Sequence, residues 1–306
     1  IVDAMDASWL AAAELPVTVD YVITPGWNWT MHHKRILFER GNTYFLSSTF
    51  ILYSGQELVV EPGTVIKVNG PTGSSWGIDV HDGDLLRILG DDLDPVIITN
   101  AANSTVGESV TSQQGYTSGN AIRAINFWDI ASTSSVTNNT VIANCRFSNF
   151  GSQAGDRAID FKDDFYFDGD ADGLPNIRHC VFRSCAGAIR GSHVGNSQLG
   201  IANCLFDRGG TASSTIALHF RVDDVDTPGM QLWASNLTIN GFGDGIQYSG
   251  PATPAVTIVQ SVQNSLFTSL DYGMRNLSGA IMDADGTTDN RHYNCGTYSS
   301  FTVGSD

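Results

Sequence analysis

Positive charge is what this chain has least of: 16 Lys and Arg stand against 32 Asp and Glu in 306 residues, a formal charge of −16. Such a field repels nucleic acid and anionic membrane surfaces unless a local basic strip reverses it, so nucleic acid is not an expected partner. Long apolar runs are missing too. No stretch approaches the roughly 18 to 20 apolar residues of a membrane-spanning helix, and SWLAAAELPV is broken by Glu14 and Pro16, so membrane insertion is not expected. The chain begins at Ile1 without Met or a basic leader, which fits a targeting segment removed or never included. Cysteine is sparse and odd in number, at 145, 180, 185, 204 and 295, which excludes complete internal pairing and shows no zinc-ligand CxxC spacing. Walker, Rossmann, nucleophile-elbow and HExxH patterns are absent.

Helical periodicity is also scarce outside AMDASWLAAAEL, and the remainder reads as short β-rich runs separated by Gly, Asn, Asp and Ser. One phrase recurs: ANCRFSNF at 143, RHCVFRSC at 178, ANCLFDRG at 202, SNLTINGF at 235 and QNSLFTSL at 263. Its lead residues, Asn144, His179, Asn203, Asn236 and Asn264, are spaced by 35, 24, 33 and 28 residues, irregular periods that suit a solenoid with variable loops. A second strand-like run follows each phrase: AIDFK at 158, AIRGS at 188, ALHFR at 217, GIQYS at 245 and GMRNL at 273.

Alternate side chains of a strand share a face, so Cys145 with Phe147, Cys180 with Phe182, Cys204 with Phe206, Leu237 with Ile239 and Ser265 with Phe267 are expected to point inward and stack coil on coil. The three cysteines then read as small apolar core residues. The recurrent Asn marks the bend into that strand, where stacked amides bond one another and the turn backbone, and His179 interrupts the ladder at one rung.

In the N-terminal half, LVVEPGTVIKVNG (58–70), GIDVHDGDLLRILGDDLDPVIITN (77–100) and AIRAINFWDI (121–130) follow a strand, a Pro-Gly turn, a strand, a G-x-L-x-x-x-G coil and a PViiT run before a loop. This order resembles bacterial surface proteins of the pectate-lyase-like kind. The resemblance covers roughly residues 40–280 and implies an all-β fold, a right-handed parallel β-helix wound as a single solenoid. Residues 1–40 are then an N-terminal cap, 41–280 the helix, and 281–306 a C-terminal cap or extension. The resemblance further implies a secreted or cell-surface protein in contact with polysaccharide or other surface proteins, and exposed coil ends would let subunits associate end to end; the fold itself hosts lyases, hydrolases, adhesins and fibres alike.

Two groups of residues carry candidate chemistry. In FDGDADGLPN, Asp168, Asp170 and Asp172 alternate before Gly173, with Asn176 following, an oxygen-rich turn of the kind a hard cation such as Ca²⁺ requires. It departs from an EF-hand because position twelve is His179 and no helices flank it. DADGTTDN, with Asp283, Asp285 and Asp289, is a weaker echo.

The second group comes from register. With Ile159, Ile189, Leu218, Ile246 and Met274 inward, Asp160, Arg190, His219, Gln247 and Arg275 fall outward on successive rungs, and Lys162, Ser192, Arg221 and Ser249 share their face two residues on. β-Elimination on a uronate needs a cation or metal on the carboxylate and a base for the C5 proton, parts that Lys162, Arg190, His219 and Arg221 can play. Hydrolysis would instead draw on Asp160 with Asp223 or Asp224. A scaffold reading, with alternating charges merely relieving repulsion along a solenoid wall, competes with both. The expected function is a structural, adhesive or filament-forming surface module with a capacity for glycan binding; the alternative is a polysaccharide lyase or glycoside hydrolase acting on an acidic polysaccharide.

Overall fold

The computed structural model describes residues 22–24, 34–52, 55–70, 77–81, 83–110, 123–128, 140–151, 157–162, 165–167, 169, 172–194, 197–222, 230–250, 257–278 and 280–299. Among them the chain winds in repeated turns. Arg35–Phe38, Thr43–Leu46 and Phe50–Ile51 make one coil, and the next lays Glu57–Val60, Val65–Val68 and Ile78–His81 on those three strands in parallel. This is an all-β parallel β-helix with three strand faces.

The first face runs Arg35–Phe38, Glu57–Val60, Leu85–Leu89, Val141–Ala143, Ile177–Arg178, Gln198–Ala202, Gln231–Ser235, Thr257–Gln263 and Ile281–Asp283. The second includes Thr43–Leu46, Val65–Val68, Val96–Asn100, Cys145–Ser148, Val181–Arg183, Leu266–Thr268 and Arg291–Tyr293. The third includes Ile78–His81, Ile125–Trp128, Ile159–Lys162, Gly187–Val194 and Tyr272–Asn276. The long strands Leu205–Val222 and Thr238–Ser249 turn the corner between the second and third faces and belong to both.

Val22–Thr24 pairs with Thr43–Leu46, and Ile281–Asp283, Arg291–Tyr293 and Thr297–Ser299 add a further coil, so strands occur inside both segments that the sequence marks as caps. The helix-like ASWLAAAEL lies outside the described residues.

The corners explain the recurrent Asn. Asn144, His179, Asn203, Asn236, Asn264 and Asp289 all adopt φ between 51 and 57° at the bend from the first face into the second. This left-handed conformation costs an L-residue roughly 1–2 kcal/mol, least for Asn and Asp, whose short side chains bond locally. His179 takes the same backbone, so it interrupts the side-chain ladder without interrupting the turn. One amide bonds its rung neighbour, Asn236 Nδ2 to Asn203 Oδ1 at 2.9 Å, while Asn144 Nδ2 donates to the Gly90 carbonyl at 3.0 Å. A second ladder of the same conformation, Asn149, Ser184, Gly209, Gly241, Ser269 and Asn294, turns the second face into the third.

Each cysteine follows a corner residue and has a use beyond filling space. The thiol points inward and donates to the carbonyl two residues back: Cys145 to Ala143, Cys180 to Arg178 and Cys204 to Ala202, each at 3.2 Å. Cys185 and Cys295 do the same at the second corner, at 3.4 and 3.6 Å, and Ser265 substitutes its hydroxyl for a thiol at 2.9 Å. All five thiols are free. Burial pushes Cys145 and Cys204 upward and Cys185 to about 12, so these groups stay protonated.

The interior is a set of columns along the axis. Phe147, Phe182, Phe206, Ile239 and Phe267 occupy one register and are all fully buried, the first three stacked at 4.7 and 5.0 Å between ring centroids. Ile159, Ile189, Leu218, Ile246 and Met274 form a second column, as the period-two pattern requires. Burying each such side chain contributes about 1.5–3 kcal/mol, which is how short strands hold together.

The acidic stretch falls in the sequence between two short strands of one rung. Tyr166–Phe167 and Ile177–Arg178 both pair with Gln198–Ala202, at opposite ends of that one strand. Asp289, part of the weaker acidic echo in sequence, is instead the next corner of the ladder begun at Asn144.

Candidate functional site

The third face brings distant residues side by side. Rung pairing runs Asp79, Asn126, Asp160, Arg190, His219, Gln247, Arg275, so the row expected from Asp160 onward exists and extends two rungs toward the N-terminus. The parallel row is less regular. Lys162 pairs with Ser192 and Arg221 with Ser249, but a register shift after Gly191 separates Ser192 from Arg221.

The row is also far less open than an outward position suggests. Asp160 is at its centre with a side chain 0% exposed. Arg190 grips it with both arms, Nε to Oδ1 at 2.8 Å and Nη2 to Oδ2 at 2.6 Å. Arg123 Nε approaches Oδ2 at 2.8 Å, Lys162 Nζ at 3.4 Å, and Ser192 Oγ reaches Oδ1 at 3.5 Å. Burial alone would raise the acid, but the Arg190 clamp with Arg123 and Lys162 outweighs it and holds Asp160 below the usual carboxylate range. A carboxylate so held accepts bonds and does not trade protons.

His219 is engaged on both ring nitrogens. Arg157 Nη2 lies 3.4 Å from Nδ1 and Ser249 Oγ 2.8 Å from Nε2. A guanidinium only donates, so Nδ1 accepts and the proton sits on Nε2, directed at Ser249. Burial, with Arg157, Arg190 and Arg221 adding to it, pushes the imidazole down to about 4, so it is neutral at neutral pH. Lys162 is pressed between Asp160 and the face of Trp128, whose centroid lies 5.6 Å from Nζ, and the other face of Trp128 stacks on His81 at 6.4 Å. With both faces taken, Trp128 offers no platform for a sugar ring. Burial lowers Lys162 from its ordinary value, partly offset by Asp160.

Of the residues singled out in sequence, Lys162 and Arg190 therefore meet at Asp160, His219 lies one rung beyond Arg190 between Arg157 and Ser249, and Arg221 is exposed. Asp163, Asp164, Asp223 and Asp224, and with Asp168 and Asp170 half of the expected calcium set, lie outside the described residues. Asp172 is exposed, whereas Asn176 is fully buried and donates Nδ2 to the Thr140 carbonyl at 2.7 Å, anchoring the return into the rung. Among the described residues no group of three His, Cys, Asp or Glu side chains is placed to hold a metal ion.

Two members of the cluster escape a reading of the sequence: Arg123 and Arg157. The signal is present in RAINFW (123–128) and RAIDFK (157–162), a repeated phrase whose Ile125 and Ile159 share a register. Arg157 is 1% exposed and fits because its neighbour one rung on is a glycine; a Cβ on Gly187 would collide with Cδ, Nε and Nη1 of Arg157. No protein-family model matches the chain, and the searches of curated proteins and of solved structures likewise found no match.

Proposed function

We propose that this chain is a secreted or cell-surface β-helix module of structural or adhesive role that holds an acidic polysaccharide against its third face without cleaving it. One observation supports this above others. Arg123, Arg157, Lys162, Arg190 and Arg221 gather around Asp160 and His219 in a protein of charge −16, a local reversal of field that suits a polyanion. The groups that would move a proton are already committed: Asp160 to its cations, and His219 to Arg157 and Ser249. Carboxylate or sulfate groups would be met by Arg221 and by the partly exposed edges of Arg190 and Lys162, 18 and 22% accessible. In the same reading Asp168, Asp170 and Asp172 take up Ca²⁺ and brace the segment that joins Phe167 to Ile177.

The alternative, a polysaccharide lyase, rests on Lys162, whose lowered pKa is the one feature here that favours an amine base. The test is calorimetric binding of polyuronates and sulfated glycans, with ultraviolet absorbance of the same mixtures to detect unsaturated product. Binding without product is expected. Product from the wild type that vanishes in Lys162→Ala would establish the lyase, and failure to bind any acidic glycan would end the reading altogether.

A further inference from the structure

We infer that the second face carries a separate groove for an acidic saccharide, independent of the Asp160 cluster. The groove, about 550 Å³, lies where the loop after Val96–Asn100 folds back over the outside of the sheet. Its floor is Ile97 and Val181, side chains on the outer surface of the coils on either side of the one that carries Arg146. Arg146 pairs in register with both of them and rises between them.

The wall is prebuilt. Asn103 closes an Asx turn, its Oδ1 accepting from Thr105 N at 3.0 Å and Thr105 Oγ1 at 2.7 Å, and its Nδ2 donates to Thr99 Oγ1 at 3.1 Å. Beneath it Lys67, wholly buried, donates to the Asn103 carbonyl at 2.8 Å. The loop is pinned again where Gly107, at φ 57°, passes Thr43 and Val65 with no room for a Cβ, and Glu108 N donates to Thr43 Oγ1 at 3.2 Å. A ligand entering such a groove spends little on ordering it.

The charges here are of a different kind from those on the third face. Arg146 is exposed and has no acidic partner among the described residues, and Arg183 meets only Asp207, at 3.5 Å, with its side chain 67% exposed. The two stand one rung and two residues apart, about 8 Å between Cα atoms for an ideal sheet. At the groove's end the corner residues Asn149 and Ser184 present a short amide and a hydroxyl. An apolar floor, the unpaired guanidinium of Arg146, the exposed one of Arg183 that shares Asp207, and small hydrogen-bonding groups at one end match the chemistry of a sugar ring. The C–H face packs on Ile97 and Val181, the carboxylate or sulfate is taken by Arg146 and Arg183, and the hydroxyls are met by Asn149 and Ser184.

The experiment is calorimetric titration of the full chain with oligouronates and sulfated oligosaccharides of defined length, beside a neutral oligosaccharide and polyglutamate. Binding of an acidic saccharide, weakened about tenfold or more by Arg146→Glu and retained at this site in Arg221→Glu, is the expected result. The oligouronate and sulfate arms identify which anion is preferred. Unchanged affinity in Arg146→Glu, equal binding of the neutral sugar, or tighter binding of polyglutamate would each overturn the proposal. Loss of all binding in Arg221→Glu alone would assign the ligand to the third face and overturn it as well. Should Arg146→Glu fail to fold, Arg146→Gln removes the charge alone and carries the same test.

Discussion

Arg146 on the second face and the arginines of the third sit on the same scaffold, yet they differ in commitment. On the third face Arg123 and Arg190 close on a buried carboxylate and Arg157 on an imidazole, so their charge is part of the structure. On the second face Arg146 pairs in register with Ile97 and Val181, apolar residues with nothing to offer a guanidinium. The difference teaches that in a β-helix a charge is defined by its rung neighbours, which are some thirty residues away in the chain, as Arg190 is from Asp160. Buried ion clusters are expensive to break from one side, whereas exposed unpaired charges are nearly neutral to stability.

The largest effect is expected from Asp160→Asn, which leaves the surrounding cations without their anion. Chemical denaturation should show a loss of about 3–5 kcal/mol, and a loss under about 1 kcal/mol would mean that the third face is no more committed than the second. Gly187→Ala comes next. Its new methyl overlaps a guanidinium that is buried and cannot retreat, so about 1–3 kcal/mol should be lost, and much of that loss should vanish when Arg157→Ala is added.

A pH experiment sharpens the comparison further. His219 titrates at about 4 in the fold, against about 6.5 when unfolded. Between those values the unfolded chain binds a proton that the folded chain does not, so stability falls as pH drops through 6.5 toward 4. His219→Gln should flatten that part of the stability curve by about 1–3 kcal/mol, and an unchanged slope would show the imidazole to be ordinary. If Asp168, Asp170 and Asp172 hold Ca²⁺ as proposed, a chelator should lower the melting temperature by a few degrees and hasten proteolysis at 168–176, roughly the consequence of 1 kcal/mol in a chain of this size. The smallest effect belongs to the second face: Arg146→Ala should change stability by less than about 0.5 kcal/mol.

Much of the scaffold is legible in the residues. The alternation around Cys145–Phe147 and its four counterparts locates an interior column, because a strand has only two faces and one of them must be apolar. The Asn positions locate a corner, because few other residues tolerate positive φ. Three things are not legible. The cysteines are core residues as their pattern says, but a thiol's bond to a carbonyl two residues back leaves no pattern distinct from burial. Arg123 and Arg157 precede their strands, where alternation no longer says which way a side chain points. The outward row looks like an open strip in sequence, although Asp160 is enclosed by the very cations that share its face.

What the sequence determined by itself was the winding: period-two apolar pairs and left-handed corner residues recur along the chain, and both act within a few residues of themselves. Only the tertiary structure decided which charges are spent and which are available, since that depends on the neighbour one rung above and below. Coil periods of 24 to 35 residues set that neighbour, and no local rule counts across such a distance. Coulombic and hydrogen-bond partners act over a few ångströms in space, and winding brings those ångströms together from far apart in the chain.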